Sequence, residues 1–337
     1  MSRPQPLSRR ELLAGGRPSA TEMGHWIRVH RRAMACRFEV TLSSEDARHV
    51  EAARAALDEA DHIEAVLTVF RDSSEVAAVN RDAAMGAVAV GDTLFALLER
   101  CRVLHQATGG AFDPTAGPLT RCWGFLVRQG RLPDVSEIAA AMDVVGLDKV
   151  ELDPVARTVR FLRPGMSLNF GSIGKGLALD RMAALVRSRG VPRALISAGG
   201  SSAVALGGGD GFAVDLRSPR VAGVLAQLRL VEAGLGTSGA GEQYFEAGGR
   251  RYGHVIDPRT GWPAEGVLSA SVAAPEAAAA DALSTAFLVA GPELAARYCA
   301  ANPGTLALLT LEADPGKQLH FGSCEGARVQ DRSASSP

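Results

Sequence analysis

Few features of this sequence could tie it together covalently. Its five cysteines (Cys36, Cys101, Cys122, Cys299, Cys324) fall at long, irregular spacings without a Cys-x-x-Cys pair. That argues against a disulfide framework and a structural zinc site, and leaves reduced thiols packed as small apolar residues. A basic excess is also missing: 36 Lys and Arg stand against 37 Asp and Glu, and aromatics make up 5% of the chain. With neither phosphate-neutralising charge nor clusters of rings to stack bases, nucleic acid is not an expected partner. Apolar runs are short. The Ala-rich stretch from Val272 to Ala290 is interrupted by Pro275, Glu276 and Asp281, so no segment of roughly 18 apolar residues is available to span a membrane. The segment Leu7–Leu13, with Arg9-Arg10, resembles the start of a twin-arginine export signal. Such signals need an apolar core of about 7–15 residues, and here Leu12–Gly16 stops at Arg17. We therefore expect residues 1–30 to be a flexible leader and the protein to be cytoplasmic, with twin-arginine-like export as the alternative.

What the chain does have is material for a core. Its 337 residues are 47% hydrophobic, enough for one large domain or two packed subdomains. Many of its 37 glycines fall in short clusters between apolar runs, as tight loops require. Arg37–Leu42 alternates like a half-buried strand, and Ser43 or Ser44 caps a helix running to about Leu67. Further helices are expected over Thr93–Thr108, Val135–Met142, Lys175–Arg189 and Ala278–Val289. Lys149–Leu152 and Thr158–Leu162 read as a hairpin. Strands follow at Ala194–Ser197, Ser202–Leu206, Phe212–Leu216, Leu228–Val231, near Tyr244, at Ser269–Ala273 and finally at Leu306–Leu311. Frequent hairpins among interleaved helices indicate an α+β (mixed α/β) fold rather than a doubly wound parallel sheet. One domain over 31–322 is expected, with a disordered tail over 323–337.

Three segments combine polar side chains with small neighbours that let backbone approach a ligand. In Ala280-Asp281-Ala282-Leu283-Ser284-Thr285, the carboxylate and the hydroxyl are four apart and share a helix face. Such an oxygen-only half-site suits magnesium rather than zinc. The same spacing also fits a helix start, with Asp favoured by the dipole and Thr bonding back to the backbone. In Asn169-Phe170-Gly171-Ser172-Ile173-Gly174-Lys175-Gly176, glycines and a lysine precede a helix, as in an anion-binding turn. It lacks the P-loop spacing and the Ser/Thr after Lys. In His254-Val255-Ile256-Asp257-Pro258-Arg259-Thr260-Gly261-Trp262-Pro263, turn formers shape a loop. His254 there is either a general base or a surface or packing residue.

In this order the three segments, with Ser74-Glu75, Asn80, Gly110–Thr115, Pro118-Leu119, Trp123–Phe125, Gly199-Gly200 and Thr237–Gly239, resemble the ApbE family of magnesium-dependent FAD:protein FMN transferases. The resemblance runs from about Met34 to Ala290. It implies an ApbE-like fold, with two intimately packed α/β subdomains around a flavin cleft. It further implies a magnesium ion held by Asp281, Thr285 and a carbonyl at Ser172. FAD, the substrate, would lie against Met34, Phe70, Ala111, Phe112, Asp113, Asn169, Lys175, Val255 and Ile256. The implied partner is an acceptor flavoprotein carrying a flavinylation threonine, and the implied product is FMN esterified to that threonine, with AMP released. His254 or Asp257 would take the hydroxyl proton and Lys175 would stabilise the phosphoryl charge. Two alternatives stay open: a magnesium-dependent FAD pyrophosphatase giving FMN and AMP, and a non-catalytic FAD-binding protein. The chain departs from the family pattern at Met34-Ala35-Cys36, where Met-Gly-Thr is usual. Asn169 replaces a common Asp, and Ser201 follows Gly200 in place of Asn. These departures bear on flavin affinity more than on reaction type.

Overall fold

The computed structural model describes residues 13–17, 25–217, 220, 223–241 and 243–330. Eight strands make the main sheet: β1 (Trp26–Ala33), β2 (Cys36–Ser43), β3 (Ala194–Ala198), β4 (Ser202–Leu206), β5 (Ala233–Gly239), β6 (Val267–Ala274), β7 (Leu306–Leu311) and β8 (Gln318–Gly322). They lie side by side in chain order, each antiparallel to the next. That arrangement is the α+β architecture expected from the frequent hairpins. The central strands β4 and β6 are buried along their whole length, which is why they read as nearly continuous apolar runs.

Both faces of the sheet are covered. Ile196, Val204, Leu206 and Leu309 join a core with the helices α1 (Val50–Leu67), α2 (Gly174–Ser188) and α3 (Ala277–Ala301). Their neighbours one residue away, Leu195, Ala203, Ala205 and Leu308, pack instead on Phe212, Val214 and Leu228. Those last residues belong to a second, four-stranded antiparallel sheet in the order Leu13–Arg17, Phe212–Arg217, Val224–Leu230, Ala327–Gln330. The period of two along each strand thus feeds two different cores. All five cysteines are free thiols, four of them buried.

The depth of α3 is set by glycine. A Cβ added at Gly236 of β5 would meet the Asp281 backbone nitrogen at 2.6 Å, and one at Gly176 of α2 would meet the Ala277 carbonyl oxygen at 2.2 Å. Any side chain at these positions would push α3 outward and carry Asp281 with it. The start of α3 is capped from another helix: the amides of Ala277 and Ala278 donate to Asp180 of α2 at 2.8 and 2.9 Å. Gly291, with φ 75°, and Pro292 kink the helix, so the expected span Ala278–Val289 covers only its first segment.

Two expected boundaries are corrected. The leader expected over residues 1–30 is shorter: β1 starts at Trp26 and pairs along its length with β2, and Leu13–Arg17 pairs with Phe212–Arg217. The basic side chains at positions 28, 30 and 32 conceal the apolar alternation of Ile27, Val29 and Ala33. Arg9-Arg10 lies outside the described residues. The disordered tail expected over 323–337 includes a strand, Ala327–Gln330, which pairs with Val224–Leu230, and β8 follows the strand expected to be last. Four residues, Ala-Arg-Val-Gln, are too few to declare a strand by periodicity. Among the described residues no helix is long and apolar enough to cross a membrane.

Candidate active site

The site begins at a tight turn. Ala33 pairs with Cys36 across the β1–β2 hairpin, leaving Met34 and Ala35 as its two central residues, with φ of 49° and 58°. A two-residue turn with positive φ at both positions is one that Asn and Gly tolerate far better. Ala35→Gly should therefore stabilise the fold by up to about 1 kcal/mol, seen as a higher denaturant midpoint at unchanged m-value. A lower midpoint would mean the turn carries no strain.

Met34 projects from this turn into a cavity of about 800 Å³, lined also by Phe70, Asn169, Lys175, Ser201 and His254. Phe70, 76% exposed, presents a ring at the cavity surface. A second cavity of about 280 Å³ is lined by Ala111, Phe112, Asp113, Ser172, Val255, Ile256, Asp281 and Thr285. Asn169, Lys175 and His254 line both. The structure thus gathers every expected site residue except Asp257 around one continuous cleft.

The glycine-rich turn is braced at both ends. Asn80 donates to the Leu168 carbonyl at 3.0 Å and accepts the Leu168 amide at 2.6 Å. Asn169 donates its amide to the Pro114 carbonyl at 2.7 Å and accepts the Gly171 amide at 2.9 Å. The turn delivers Lys175 to the first turn of α2, where its ammonium hydrogen-bonds to the Ser201 hydroxyl.

Asp281 faces this turn from α3. It is 5% exposed and accepts the Gly176 amide and the Ser202 hydroxyl, each at 2.7 Å. Burial pushes its carboxyl up, against the Lys175 charge and those two hydrogen bonds. The helix-start alternative fails here, because Asp180 does the capping and Asp281 reaches across to α2. Thr285, one turn on, hydrogen-bonds to the Ser238 hydroxyl at 3.0 Å; its contact with the Asp281 carbonyl is 3.4 Å, while Ser284 takes that carbonyl at 2.8 Å. Among the described residues no three His, Cys, Asp or Glu side chains come together. What Asp281 and Thr285 present is oxygen alone, around a carboxylate that burial destabilises as an anion. That donor chemistry fits a hard divalent cation.

Asp113 sits deep in the smaller cavity. One carboxylate oxygen takes the Thr115 amide and hydroxyl at 2.7 and 2.6 Å, and the other lies 3.3 Å from His105 Nδ1. Burial pushes its carboxyl up, against the Thr115 hydrogen bonds and the His105 charge.

His254 follows the strand Arg250–Gly253. Its Nδ1 lies 3.2 Å from the Gln243 carbonyl oxygen. A carbonyl only accepts, so Nδ1 carries a proton, and in the neutral ring the lone pair is at Nε2. Beneath the loop, Trp123 donates to the Gly261 carbonyl at 2.8 Å and packs with Tyr252 and Trp262. Asp257 corrects one expectation. It lines neither cavity, and both its oxygens are engaged by the Arg259 guanidinium at 2.9 and 2.8 Å. A carboxylate held in a bidentate fork braces a loop and is poorly placed to take a proton. Ser202 and Ser238, which contact Asp281 and Thr285, are not among the expected site residues. Ser238 had a signal in Thr237-Ser238-Gly239; Ser202 had none.

An antiparallel α+β fold that converges a buried carboxylate, a lysine on a glycine-rich turn and a histidine on one cleft has the chemistry of an enzyme acting at phosphate groups. The chain belongs to the ApbE family, whose sequence profile matches residues 34–310. It is 34% identical over 286 residues to a FAD:protein FMN transferase of Treponema pallidum, covering 80% of this chain and 79% of the relative. Its fold is similar to the ApbE protein of Thermotoga maritima (TM-score 0.81, 29% identity, 88% of this chain and 97% of that one). It is also similar to the flavinyl transferase ApbE of Pseudomonas stutzeri in its apo form (TM-score 0.74, 26% identity, 88% and 94%).

Proposed function

We propose that this chain transfers FMN from FAD to a threonine hydroxyl of an acceptor protein and releases AMP. The observation that carries this reading is the meeting of Lys175, Asp281 and His254 around one cleft large enough for an extended nucleotide. Magnesium is the metal we assign, held by Asp281, Thr285 and the Ser172 carbonyl. Bound there, it would offset negative charge on the phosphoryl oxygens.

The chain's own residues do the rest. Phe70 and Met34 flank the flavin ring in the larger cavity, while Ala111–Asp113 and Val255-Ile256 enclose the smaller one. Lys175 places its ammonium against the pyrophosphate where charge develops. His254 Nε2 takes the proton of the attacking hydroxyl. The new bond joins that oxygen to the FMN phosphorus, and the bond from that phosphorus to the AMP oxygen breaks.

Incubating the protein with FAD, magnesium and an acceptor protein bearing a flavinylation threonine should give a fluorescent acceptor band and one AMP per flavin attached. AMP without a labelled acceptor would replace transfer by FAD hydrolysis. Bound FAD with neither product would reduce the protein to a flavin binder.

A further inference from the structure

The tip of the β1–β2 hairpin carries a charge arrangement that the transfer chemistry leaves unused. Arg28 and Arg32 lie four apart on one face of β1, and Arg37 of β2 stands directly opposite Arg32 in register. All three line the larger cavity, which also reaches Lys175 and His254. Like charges directly opposite each other destabilise a strand pair, so this pairing costs the fold something. The carboxylate on that face, Glu39, is shared: it is 3.8 Å from Arg28 and also pairs with Arg37. Among the described residues Arg32 has no ion pair, whereas Arg31, facing the other way, is held by Asp58 and Asp61.

Edge protection does not account for this. Basic residues on an edge strand deter unwanted strand pairing, and β1 is an edge. Arg37, however, lies on the inner strand and faces the same cavity. The two opposed arginines flank a turn whose central residues both have positive φ, and such strain concentrates where a surface works. The chain as a whole carries a net charge of -1, so the cluster is local rather than part of a basic protein.

On the flavin-transfer reading, on which this inference rests, FAD brings one charged group, its pyrophosphate, and that group belongs beside Lys175 and Asp281. The flavin ring, ribityl chain and adenosine are neutral. An anion for the hairpin tip therefore has to come from the other substrate. We propose that Arg28, Arg32 and Arg37 dock an acidic segment of the acceptor protein and thereby lead its hydroxyl into the cleft toward His254. Guanidinium forks suit carboxylates in two-point contact, and a basic rim on a cleft steers an acidic partner inward.

Two labelled synthetic peptides test this, one with a central threonine flanked by Asp and Glu, the other with the matching Asn and Gln. Anisotropy should show the full-length protein binding the acidic peptide roughly ten-fold more tightly, as a few exposed ion pairs allow, with the preference fading at high salt. Arg32→Glu with Arg37→Glu should abolish the preference, and Arg32→Gln should weaken it without lowering the melting temperature, since it removes a like-charge pair. FAD binding, followed by flavin fluorescence, should stay the same in every variant. Equal binding of both peptides by the unaltered protein overturns the proposal. So does a loss of FAD affinity in the arginine variants, which would hand these arginines to the nucleotide. Failure of the unaltered protein to bind FAD would instead remove the flavin reading itself, whatever the peptides do.

Discussion

Asp281→Asn should reduce FMN transfer by about a hundred- to a thousand-fold, the scale seen when one preorganised charge-stabilising group is removed, while leaving the protein folded. The fold should survive because the amide can satisfy both partners. Its oxygen can accept the Gly176 amide that Asp281 now accepts at 2.7 Å, and its NH2 can donate to the Ser202 hydroxyl, which turns from donor to acceptor. The substitution also removes a carboxylate that burial disfavours as an anion. The melting temperature without added cation should therefore hold or rise, and that separates loss of chemistry from loss of structure. On the proposed metal assignment, magnesium should raise the melting temperature of the unaltered protein and not that of the variant, because an amide is a far weaker ligand for a hard cation. The measurements are AMP release with FAD and acceptor, and melting temperature with and without magnesium. Transfer at the parent rate would remove Asp281 from the metal site. A magnesium-dependent rise in melting temperature that survives in the variant would do the same.

The behaviour of Asp281 also shows what the sequence could and could not convey. The pair with Thr285 was visible as a helical face, but its spacing alone fitted a helix start equally well. The difference lies in Asp180, 101 positions earlier, whose carboxylate takes the Ala277 and Ala278 amides. It lies also in Gly236 and Gly176, which let α3 come close enough for Asp281 to reach α2. Neither contact has a local signature. The antiparallel architecture was legible because its strands are short, apolar and joined by turn formers. Among the strands without a clear signal, Trp26–Ala33 is basic and Ala327–Gln330 is brief, and the second gains its order from Val224–Leu230, about a hundred positions earlier. Asp257 went astray for a similar reason. The loop displays a carboxylate three residues from a histidine, and only the folded turn reveals that Arg259 already occupies both its oxygens.

With Asp257 engaged in that fork, we assign the proton of the acceptor hydroxyl to His254, and His254→Asn should isolate the step. The side-chain amide of Asn can donate to the Gln243 carbonyl, which now lies 3.2 Å from His254 Nδ1. The loop therefore keeps its hydrogen bond and loses the lone pair at Nε2. Transfer to the acceptor should fall by about two to four orders of magnitude, the usual worth of a positioned general base, while FAD affinity changes little. The effect should appear in kcat rather than in the apparent KM for FAD, since the lost interaction operates only in the transition state. Added imidazole should restore part of the rate, which a merely structural role for the ring would not permit. Asp257→Asn should behave differently: with the Arg259 fork broken the loop loosens, both kcat and KM shift, and imidazole restores nothing. If His254→Asn transfers at the parent rate while Asp257→Asn loses turnover at unchanged stability, the base is the carboxylate, and Arg259 must release it when the substrates bind.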